Sequence, residues 1–393
     1  QEHDAPPMPI DTFFRSLAEQ QQTRAIGVVL SGTGCDGSLG IEAIKGEGGL
    51  TFAQDDRSSK FYGMPGNAIA TGAVDFVLPP RQIAKELAEL AKHPLVGRAR
   101  PAGPPPNTAT TELESVLPDS PDEISTLFRL LRARTGVDFS LYKQSTLKRR
   151  ILRRMVLHKK EKLSQYVRLA QSDPGELDAL FDELLINVTS FFRDPETFKM
   201  LNKKVFPRLL KAHREDDPLR FWVCGCSTGE EAYSLAICLL EFFAQSRTHR
   251  PVQIFATDIS EQGIERARAG IYPPNIQQDV SPERLRRFFT KVNGRFQVHK
   301  SVRDLCVFAR QNVLVDPPFS NLDLINCRNV LIYFGPVLHR RVVPLFHYAL
   351  RATGMLLLGS SESIGPSTHH FALVDNKHHL YAKKAGHPRP GFE

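Results

Sequence analysis

The stretch LRFWVCGCSTGEEAY, residues 219–233, has the residue types and spacing of a ligand-binding turn. A short apolar run meets a turn of small residues that includes Gly225 and Gly229, and apolar residues then recur at helical spacing from Ala232 to Phe243. Glycines let a backbone approach a ligand, and the free N–H groups of a helix start face it. Because the spacing differs from the dinucleotide pattern G-x-G-x-x-G, the stretch predicts a nucleotide-like ligand of unspecified kind.

Acidic residues end two predicted strands, where open α/β sheets keep their reactive groups. Asp258 ends the strand VQIFATDIS, and Asp36 lies in the turn TGCDG after the strand AIGVVLSG. Asp258 can accept hydrogen bonds from ribose hydroxyls or cap the next helix, and both roles are compatible. Taken alone, Asp36 is better interpreted as a helix N-cap.

Three polar residues, Asn187, Thr189 and Arg193, interrupt the apolar and aromatic segment LLINVTSFFRDPETF. They are candidates for ligand contacts. Arg193 followed by Asp194-Pro195 also fits a simple junction between two helices, because proline suits a first helical turn.

The most basic stretch of the chain is YKQSTLKRRILRRMVLHKKEKL. As a single helix it places Leu147, Ile151 and Met155 in one apolar stripe. Two basic rows then lie on the remaining surface: Arg149 with Arg153, and Arg150 with Arg154. This pattern fits a solvated charged face and electrostatic docking to an acidic partner equally well.

Four segments position these residues, and the fold class is α/β with a doubly wound parallel sheet. They are a partial α/β unit at 1–92, a Pro-rich linker at 93–122, an all-helical domain at 123–215, and a doubly wound domain at 216–393 with a small β-subdomain at about 271–304. Within that subdomain, Asn293-Gly294 between short alternating runs predicts a β-hairpin.

The composition narrows the class of protein. The chain has 393 residues and a formal net charge of +8, which favours an acidic partner. The basic stretch has no interleaved aromatic residues, so we expect no nucleic acid. No apolar run approaches the roughly 20 residues that cross a bilayer, and the six cysteines are scattered through apolar segments. We expect a cytoplasmic monomer with reduced thiols, no membrane insertion and no metal site.

Residues 28–80 resemble the C-terminal half of the CheB-type protein-glutamate methylesterase domain, through GTGCDG, AQD, GMPGNAI and GAVDFVLP. The resemblance implies that Asp36 corresponds to the Asp that orients the His of a Ser–His–Asp triad. The family's Ser and His precede this segment, and Ser16, Ser31 and His3 lack their sequence context. We therefore expect Asp36 to be the orphan member of a triad in an inactive half-esterase.

From about 123 to 384 the chain resembles a CheR-type chemotaxis methyltransferase, through NVTSFFRDPETF, GCSTGEEAYSLAI, FATDIS, NVL at 312–314 and DLINCRNVLIYF. The resemblance implies S-adenosylmethionine as cofactor, S-adenosylhomocysteine as product, and glutamates in the cytoplasmic domains of methyl-accepting chemoreceptors as acceptors. The implied cofactor-binding residues are Asn187, Thr189, Arg193, Glu231, Asp258, Asn312, Val313, Arg328 and Asn329. The family's basic helix matches Lys148–Arg154, which favours substrate docking by Arg149, Arg150, Arg153 and Arg154.

Arg193 and Tyr333 are the predicted catalytic pair. Arg193 offers a forked donor and Tyr333 a hydroxyl, and together they would hold an acceptor carboxylate in place. The alternative interpretations are a structural salt bridge and a core aromatic. Two other functions stay open. One is a methyltransferase for another substrate, such as nucleic acid or a small metabolite, which only the basic helix and the net charge support. The other is a signalling scaffold that has lost turnover.

Overall fold

The computed structural model describes residues 8–94, 121–185, 188–212, 214, 216–365 and 367–385. The chain divides into two compact units, at 1–188 and 189–393. Most of the predicted linker and the candidate Asn187 lie outside the described residues. Within the described ranges, no helix is both long and apolar enough to cross a bilayer.

The first unit begins with a three-stranded parallel sheet and four helices. The strands are β1 (Ile26–Val29), β2 (Leu50–Gln54) and β3 (Phe76–Leu78), in that order across the sheet; the helices are α1 (Pro9–Gln21), α2 (Ser38–Gly46), α3 (Gly63–Ala70) and α4 (Pro80–Lys92). The sequence predicts all of these except α3, as strands at 25–32, 49–55 and 72–80 and helices at 10–20, 38–46 and 82–92. Helix α2 begins and ends at the predicted residues, because the turn before it and the glycines after it are clear breaking signals.

Four further helices complete the first unit. They are α5 (Pro121–Thr135), α6 (Gln144–Leu157), α7 (Leu163–Ser172) and α8 (Pro174–Leu184), with a single tight turn at Phe139–Leu141. The predicted apolar stripe of α6 is confirmed, since Leu147, Ile151 and Met155 are all buried. The α/β part and this helical part share one core, in which Val156 of α6 clusters with Phe52 and other apolar residues of β2 and α4.

The two arginine rows of α6 do not lie on the surface as predicted. Arg150 and Arg153 are 4% and 3% exposed. Arg150 donates to the carbonyl oxygen of Lys45 at 2.7 Å and to Glu183 at 3.2 Å. The expectation of a solvated basic face is therefore wrong for Arg150 and Arg153, because the end of α2 and the acidic residue Glu183 cover them.

Arg153 is buried against three acceptors. Its guanidinium donates to the carbonyl oxygen of Gly49 at 2.8 Å, to Glu183 at 2.6 Å and to Asp75 at 2.5 Å. The other two arginines are also paired, but nearer to solvent: Arg149 lies 3.6 Å from Glu47, and Arg154 donates to Glu176 at 3.0 Å. The helix thus uses its charge to join the α/β part to the helical part.

We expect Arg153→Ala to lower the free energy of unfolding of the first unit by about 3–5 kcal/mol, because two buried carboxylates lose a close cation. The matched control, Arg149→Ala on the same helix, removes a partly exposed pair and should cost less than about 1 kcal/mol. Urea-dependent hydrogen exchange, read in peptides from α2 and α6, measures both values. Equal losses in the two variants would contradict the role of the buried pair.

The second unit is a seven-stranded mixed sheet flanked by helices. Its strands are β4 (Leu219–Cys224), β5 (Val252–Asp258), β9 (Cys306–Arg310), β10 (Leu322–Cys327), β11 (Leu350–Leu358), β12 (Phe371–Asp375) and β13 (Leu380–Lys383), in the order β12-β13-β11-β10-β4-β5-β9. The strands from β11 to β9 in that order are parallel to one another, and β12 and β13 form an antiparallel edge. The sequence predicts strands of this sheet at 221–224, 252–260, 305–314, 322–334, 354–362 and 379–384. It misses β12, whose burial does not alternate regularly.

The helices of this unit are α9 (Pro195–Met200), α10 (Phe206–Ala212), α11 (Glu230–Ser246), α12 (Glu261–Ala269), α13 (Pro282–Phe288), α14 (Lys300–Arg303) and α15 (Pro336–Ala349). The last four residues of β4, 221–224, are a continuous apolar run because the strand lies in the middle of the sheet, where both faces are covered. The doubly wound α/β fold is confirmed.

A separate three-stranded sheet lies between β5 and β9 in the sequence. It consists of β6 (Ile271–Tyr272), β7 (Phe289–Val292) and β8 (Arg295–Val298), with β8 in the centre. The predicted hairpin is confirmed. Asn293 and Gly294 have positive φ angles of 47° and 77°, as the tight turn between two twisted strands requires.

Candidate functional site

The glycine turn between β4 and α11 is hydrogen-bonded to the end of β5. The N–H groups of Gly225 and Cys226 both donate to the carbonyl oxygen of Thr257, at 2.8 and 2.9 Å. Gly229 has a φ of +98°, and a Cβ atom there would lie 2.9 Å from Cβ of Ala267. The turn therefore requires glycine at this position, because a side chain would meet both backbone strain and helix α12.

Asp258 stabilises the same turn from the end of β5. Its two carboxylate oxygens accept the backbone N–H groups of Ser227 at 2.8 Å and Ser260 at 2.9 Å. Burial raises the pKa of Asp258, and these N–H donors oppose the shift. Ser260, whose hydroxyl accepts from Gly263, is the N-cap of α12, so the interpretation of Asp258 as that cap is wrong. A carboxylate has about four lone-pair sites, so Asp258 keeps capacity for a ligand hydroxyl.

Arg328 lies directly after β10, and its side chain is 2% exposed. It donates to Oε1 of Glu231 at 2.7 Å, to Asp194 at 2.5 Å and to the carbonyl oxygen of Arg193 at 3.0 Å. Asn326 also donates to Oε1 of Glu231, at 2.8 Å. One guanidinium thus joins the end of β10, the first turn of α11 and the loop before α9.

The other predicted site residues of this unit lie on loops. Some of these loops follow parallel strands, and one contacts Arg328. Thr189 and Arg193 are half-buried before α9, and Tyr333 is half-buried in the single turn Leu331–Tyr333. Val313, which is half-buried, follows β9. Because β4, β5, β9 and β10 are parallel neighbours, the loops after them meet at one edge of the sheet.

Two asparagines of the predicted set have local backbone roles. Asn312 donates its N–H to Asp316 at 2.7 Å and accepts from the N–H of Leu314 at 3.0 Å. Asn329 has a left-handed backbone, with a φ of +60°. Asn is tolerated in that conformation more readily than most residues, which gives Asn329 a structural reason for its identity.

Glu230 is a residue of this site that the sequence analysis misses. Its carboxylate accepts the hydroxyl of Thr228 at 2.7 Å. Burial raises the pKa of Glu230 to about 7, and the hydrogen bond from Thr228 opposes that shift. Tyr272, from the small sheet, donates to the carbonyl oxygen of Thr228 at 2.7 Å. The adjacent acidic residues Glu230 and Glu231 were the only sequence feature that could have indicated it, and that pattern does not show that both carboxylates lie at the site.

In the first unit, Asp36 occupies the turn after β1 and is not the cap of its own helix. Its carboxylate accepts the backbone N–H groups of Ile10 at 3.1 Å and Asp11 at 2.9 Å, which belong to the first turn of α1. The residue before α2 is Gly37, so the N-cap interpretation is corrected. Asp36 instead caps the start of α1, through N–H donors that lie 25 and 26 residues earlier in the sequence.

Comparison with known families matches three consecutive parts of the chain. The family described as CheB methylesterase matches residues 1–87. The CheR methyltransferase all-alpha domain matches residues 122–185, and the CheR methyltransferase SAM binding domain matches residues 187–380.

Curated relatives agree with these matches. A chemotaxis protein methyltransferase of Listeria monocytogenes is 33% identical over 66% of this chain and 98% of its own length. The chain belongs to the CheR methyltransferase family. A putative methyltransferase Cher3 of Pseudomonas putida is 36% identical over 62% of this chain and 89% of its own length. An uncharacterized 104.1 kDa protein of Rhodobacter capsulatus is 39% identical over 95% of this chain, which spans only 40% of that protein.

Among solved structures, the CheB methylesterase catalytic domain of Thermotoga maritima is 36% identical over 20% of this chain and 42% of its own, with a TM-score of 0.20. A Rickettsia typhi protein, PKMT2 in complex with AdoHcy, is 15% identical over 41% of this chain and 24% of its own, with a TM-score of 0.23. At these TM-scores the superpositions add nothing to the sequence matches.

The chemistry of the CheR-family site fits S-adenosylmethionine, the cofactor of the matched domain. Asp258 retains acceptor capacity for ribose hydroxyls, and the glycine turn beside it leaves no side chain to block a close approach. The hydrogen bonds that Glu231 accepts from Arg328 and Asn326 both end on Oε1, so Oε2 is the oxygen placed to accept from an ammonium group.

We expect the stability of the second unit to fall as the pH rises from about 4.5 to about 7, through Glu230. Its pKa is higher in the folded chain than its ordinary value of 4.5, so in this window the unfolded chain loses the proton while the folded chain keeps it. Glu230→Gln removes that dependence. Scanning calorimetry at several pH values between 4.5 and 8 measures the difference in Tm between the two proteins, which should grow with pH and level off above about 7. A constant difference would refute the titration of Glu230.

Proposed function

We propose that this chain transfers a methyl group from S-adenosylmethionine to glutamate side chains of chemoreceptor-like proteins, giving glutamyl methyl esters. The observation that carries the proposal is the convergence of Asp258, Glu231 and Arg328 at one edge of a methyltransferase sheet. The relatives named chemotaxis protein methyltransferase support the choice of acceptor.

The acceptor needs little activation. A glutamate carboxylate has an ordinary pKa of about 4.3 and is ionised at neutral pH, so no general base is required. S-adenosylmethionine, when bound, supplies an electrophilic methyl carbon. The protein's own contribution is then to place the acceptor carboxylate and to strip part of its water.

Arg193 and Tyr333 are the residues that we propose hold the acceptor. The backbone of Arg193 is anchored, because its carbonyl oxygen accepts from Arg328 at 3.0 Å. Tyr333 closes the turn that follows Arg328 and Asn329. Both side chains are half-buried, which suits groups that must meet a ligand and still be held by their neighbours.

The alternative substrate, nucleic acid, loses its main support in the structure. That hypothesis depended on the basic helix, and two of its four arginines are buried. All four are paired with carboxylates inside the first unit. For the same reason we do not propose Arg150 and Arg153 as substrate-docking residues; Arg149 and Arg154, which are more exposed, remain proposed for that role.

The experiment is methyl transfer from radiolabelled S-adenosylmethionine to purified chemoreceptor cytoplasmic domains, followed by alkali. We expect labelled product that releases methanol, because carboxyl methyl esters hydrolyse in base and N-methyl groups do not. Arg193→Ala should lower turnover about 100-fold or more while the fold is retained. Alkali-stable label would reject the acceptor class, and near-normal turnover in Arg193→Ala would reject the role of that residue.

We infer that these 393 residues do not hydrolyse methyl esters by themselves. Asp36 already accepts two backbone N–H groups of α1, and neither Ser16 nor Ser31 stands in the sequence context of a triad serine. The hydroxyl of Ser31 instead accepts the N–H of Phe61 at 2.9 Å.

The expected result is no release of methanol from methylated receptor domains above the uncatalysed rate, in the unmodified chain and in the double variant Ser16→Ala, Ser31→Ala alike. Release that disappears in the double variant would overturn this inference.

A further inference from the structure

Glu362 follows β11 and is 3% exposed. Its carboxylate accepts five backbone N–H groups. Oε1 accepts from Val330 at 2.8 Å, Leu331 at 2.7 Å and Ile332 at 3.3 Å; Oε2 accepts from Asn329 at 2.8 Å and Gly359 at 2.6 Å. Four of the five donors are the consecutive residues 329–332, so a single carboxylate accepts the N–H groups of one continuous backbone segment.

That segment, residues 329–332, lies between Arg328 and Tyr333. It leaves β10, passes through the left-handed Asn329 and enters the single turn that ends at Tyr333. The first N–H groups of any helical turn lack partners within the turn, and buried N–H groups without an acceptor are costly. Here a residue about 30 positions later in the sequence supplies the acceptor, and its negative charge suits the positive end of the turn.

The same segment packs against the glycine turn. A Cβ atom on Gly225 would lie 2.2 Å from Cγ2 of Val330, so the side chain of Val330 packs where only glycine leaves room for it. Gly359 shows the same fit on the other side, since a Cβ atom there would lie 2.7 Å from Oε2 of Glu362. The carboxylate, the segment and the glycine turn therefore form one packed stack.

We propose that Glu362 is a positioning residue for cofactor binding: its carboxylate holds segment 329–332 against the glycine turn and so sets the geometry of Arg328, Asn329 and Tyr333. It acts through the backbone of these residues and not by contact with the ligand. This role rests on the proposed function, because it assumes that the stack forms part of the S-adenosylmethionine site.

The test compares Glu362→Gln with the unmodified chain. In either orientation of the amide, its NH2 group faces at least two N–H donors that the carboxylate oxygen accepted. We expect the Kd for S-adenosylhomocysteine, measured by calorimetry, to rise at least about tenfold. We also expect hydrogen exchange in a peptide covering 329–334 to speed up at least about tenfold, with peptides from α12 unchanged.

The matched control is Asp323→Asn, at the opposite end of β10. Asp323 is also a fully buried carboxylate, and it accepts the N–H of Arg220 at 2.8 Å. This variant should lower Tm while leaving the Kd for S-adenosylhomocysteine within about twofold, which separates positioning from general loss of stability.

Three results would overturn the inference. One is a Kd in Glu362→Gln within twofold of the unmodified chain, and another is an equal rise in Asp323→Asn. The third is unchanged exchange in 329–334. Failure of the unmodified chain to bind S-adenosylhomocysteine would reject the proposed function itself. The exchange experiment needs no ligand, so it tests the role of Glu362 separately.

Discussion

The second unit depends on one buried guanidinium. Arg328 joins the end of the central strand β10 to Glu231 on α11, and to the carbonyl oxygen of Arg193 and the carboxylate of Asp194 before α9. Hydrogen bonds to charged groups contribute about 1.5–3 kcal/mol each, whereas a buried charge left without its partner costs about 3–5 kcal/mol. The three segments are therefore coupled, since moving any one of them would leave a buried charge without its partner. This coupling sets the geometry of the edge of the sheet where the ligand site lies.

Several carboxylates in this chain stabilise loops by accepting backbone N–H groups, independently of any ligand. Asp258 accepts the backbone N–H groups of Ser227 and Ser260. Asp36 does the same for the first turn of α1, and Glu362 for segment 329–332. In each case the acceptors satisfy backbone N–H groups that the bend of the chain has left without partners. An acidic residue after a strand is thus explained by the backbone N–H groups that it accepts, without any ligand. A ligand role for Asp258 uses the lone pairs that remain.

Sequence patterns predict those parts of the fold that local physics determines. The apolar run of β4 identifies a central strand, and the Asn293-Gly294 pair identifies a hairpin, because each signal is complete within a few residues. The contacts of Glu362 are not predictable in this way. Its donors lie 30 or more residues away, except Gly359, and no periodicity connects a carboxylate after β11 with a turn after β10. The same holds for Arg153, whose acceptor Gly49 is 104 residues earlier.

The arginines of α6 show why net charge is a poor guide to surface charge. A formal charge of +8 and a helix with four arginines suggest an acidic partner. Arg150 and Arg153, however, donate to the carbonyl oxygens of Lys45 in α2 and of Gly49 before β2, and to buried carboxylates. The C-terminal end of a helix such as α2 carries partial negative charge, so guanidinium groups are well placed there. Without the methylesterase segment these two side chains would lose their backbone acceptors, and Arg153 would also lose Asp75. The segment therefore has a structural value for the helical domain that does not depend on any ester chemistry of its own.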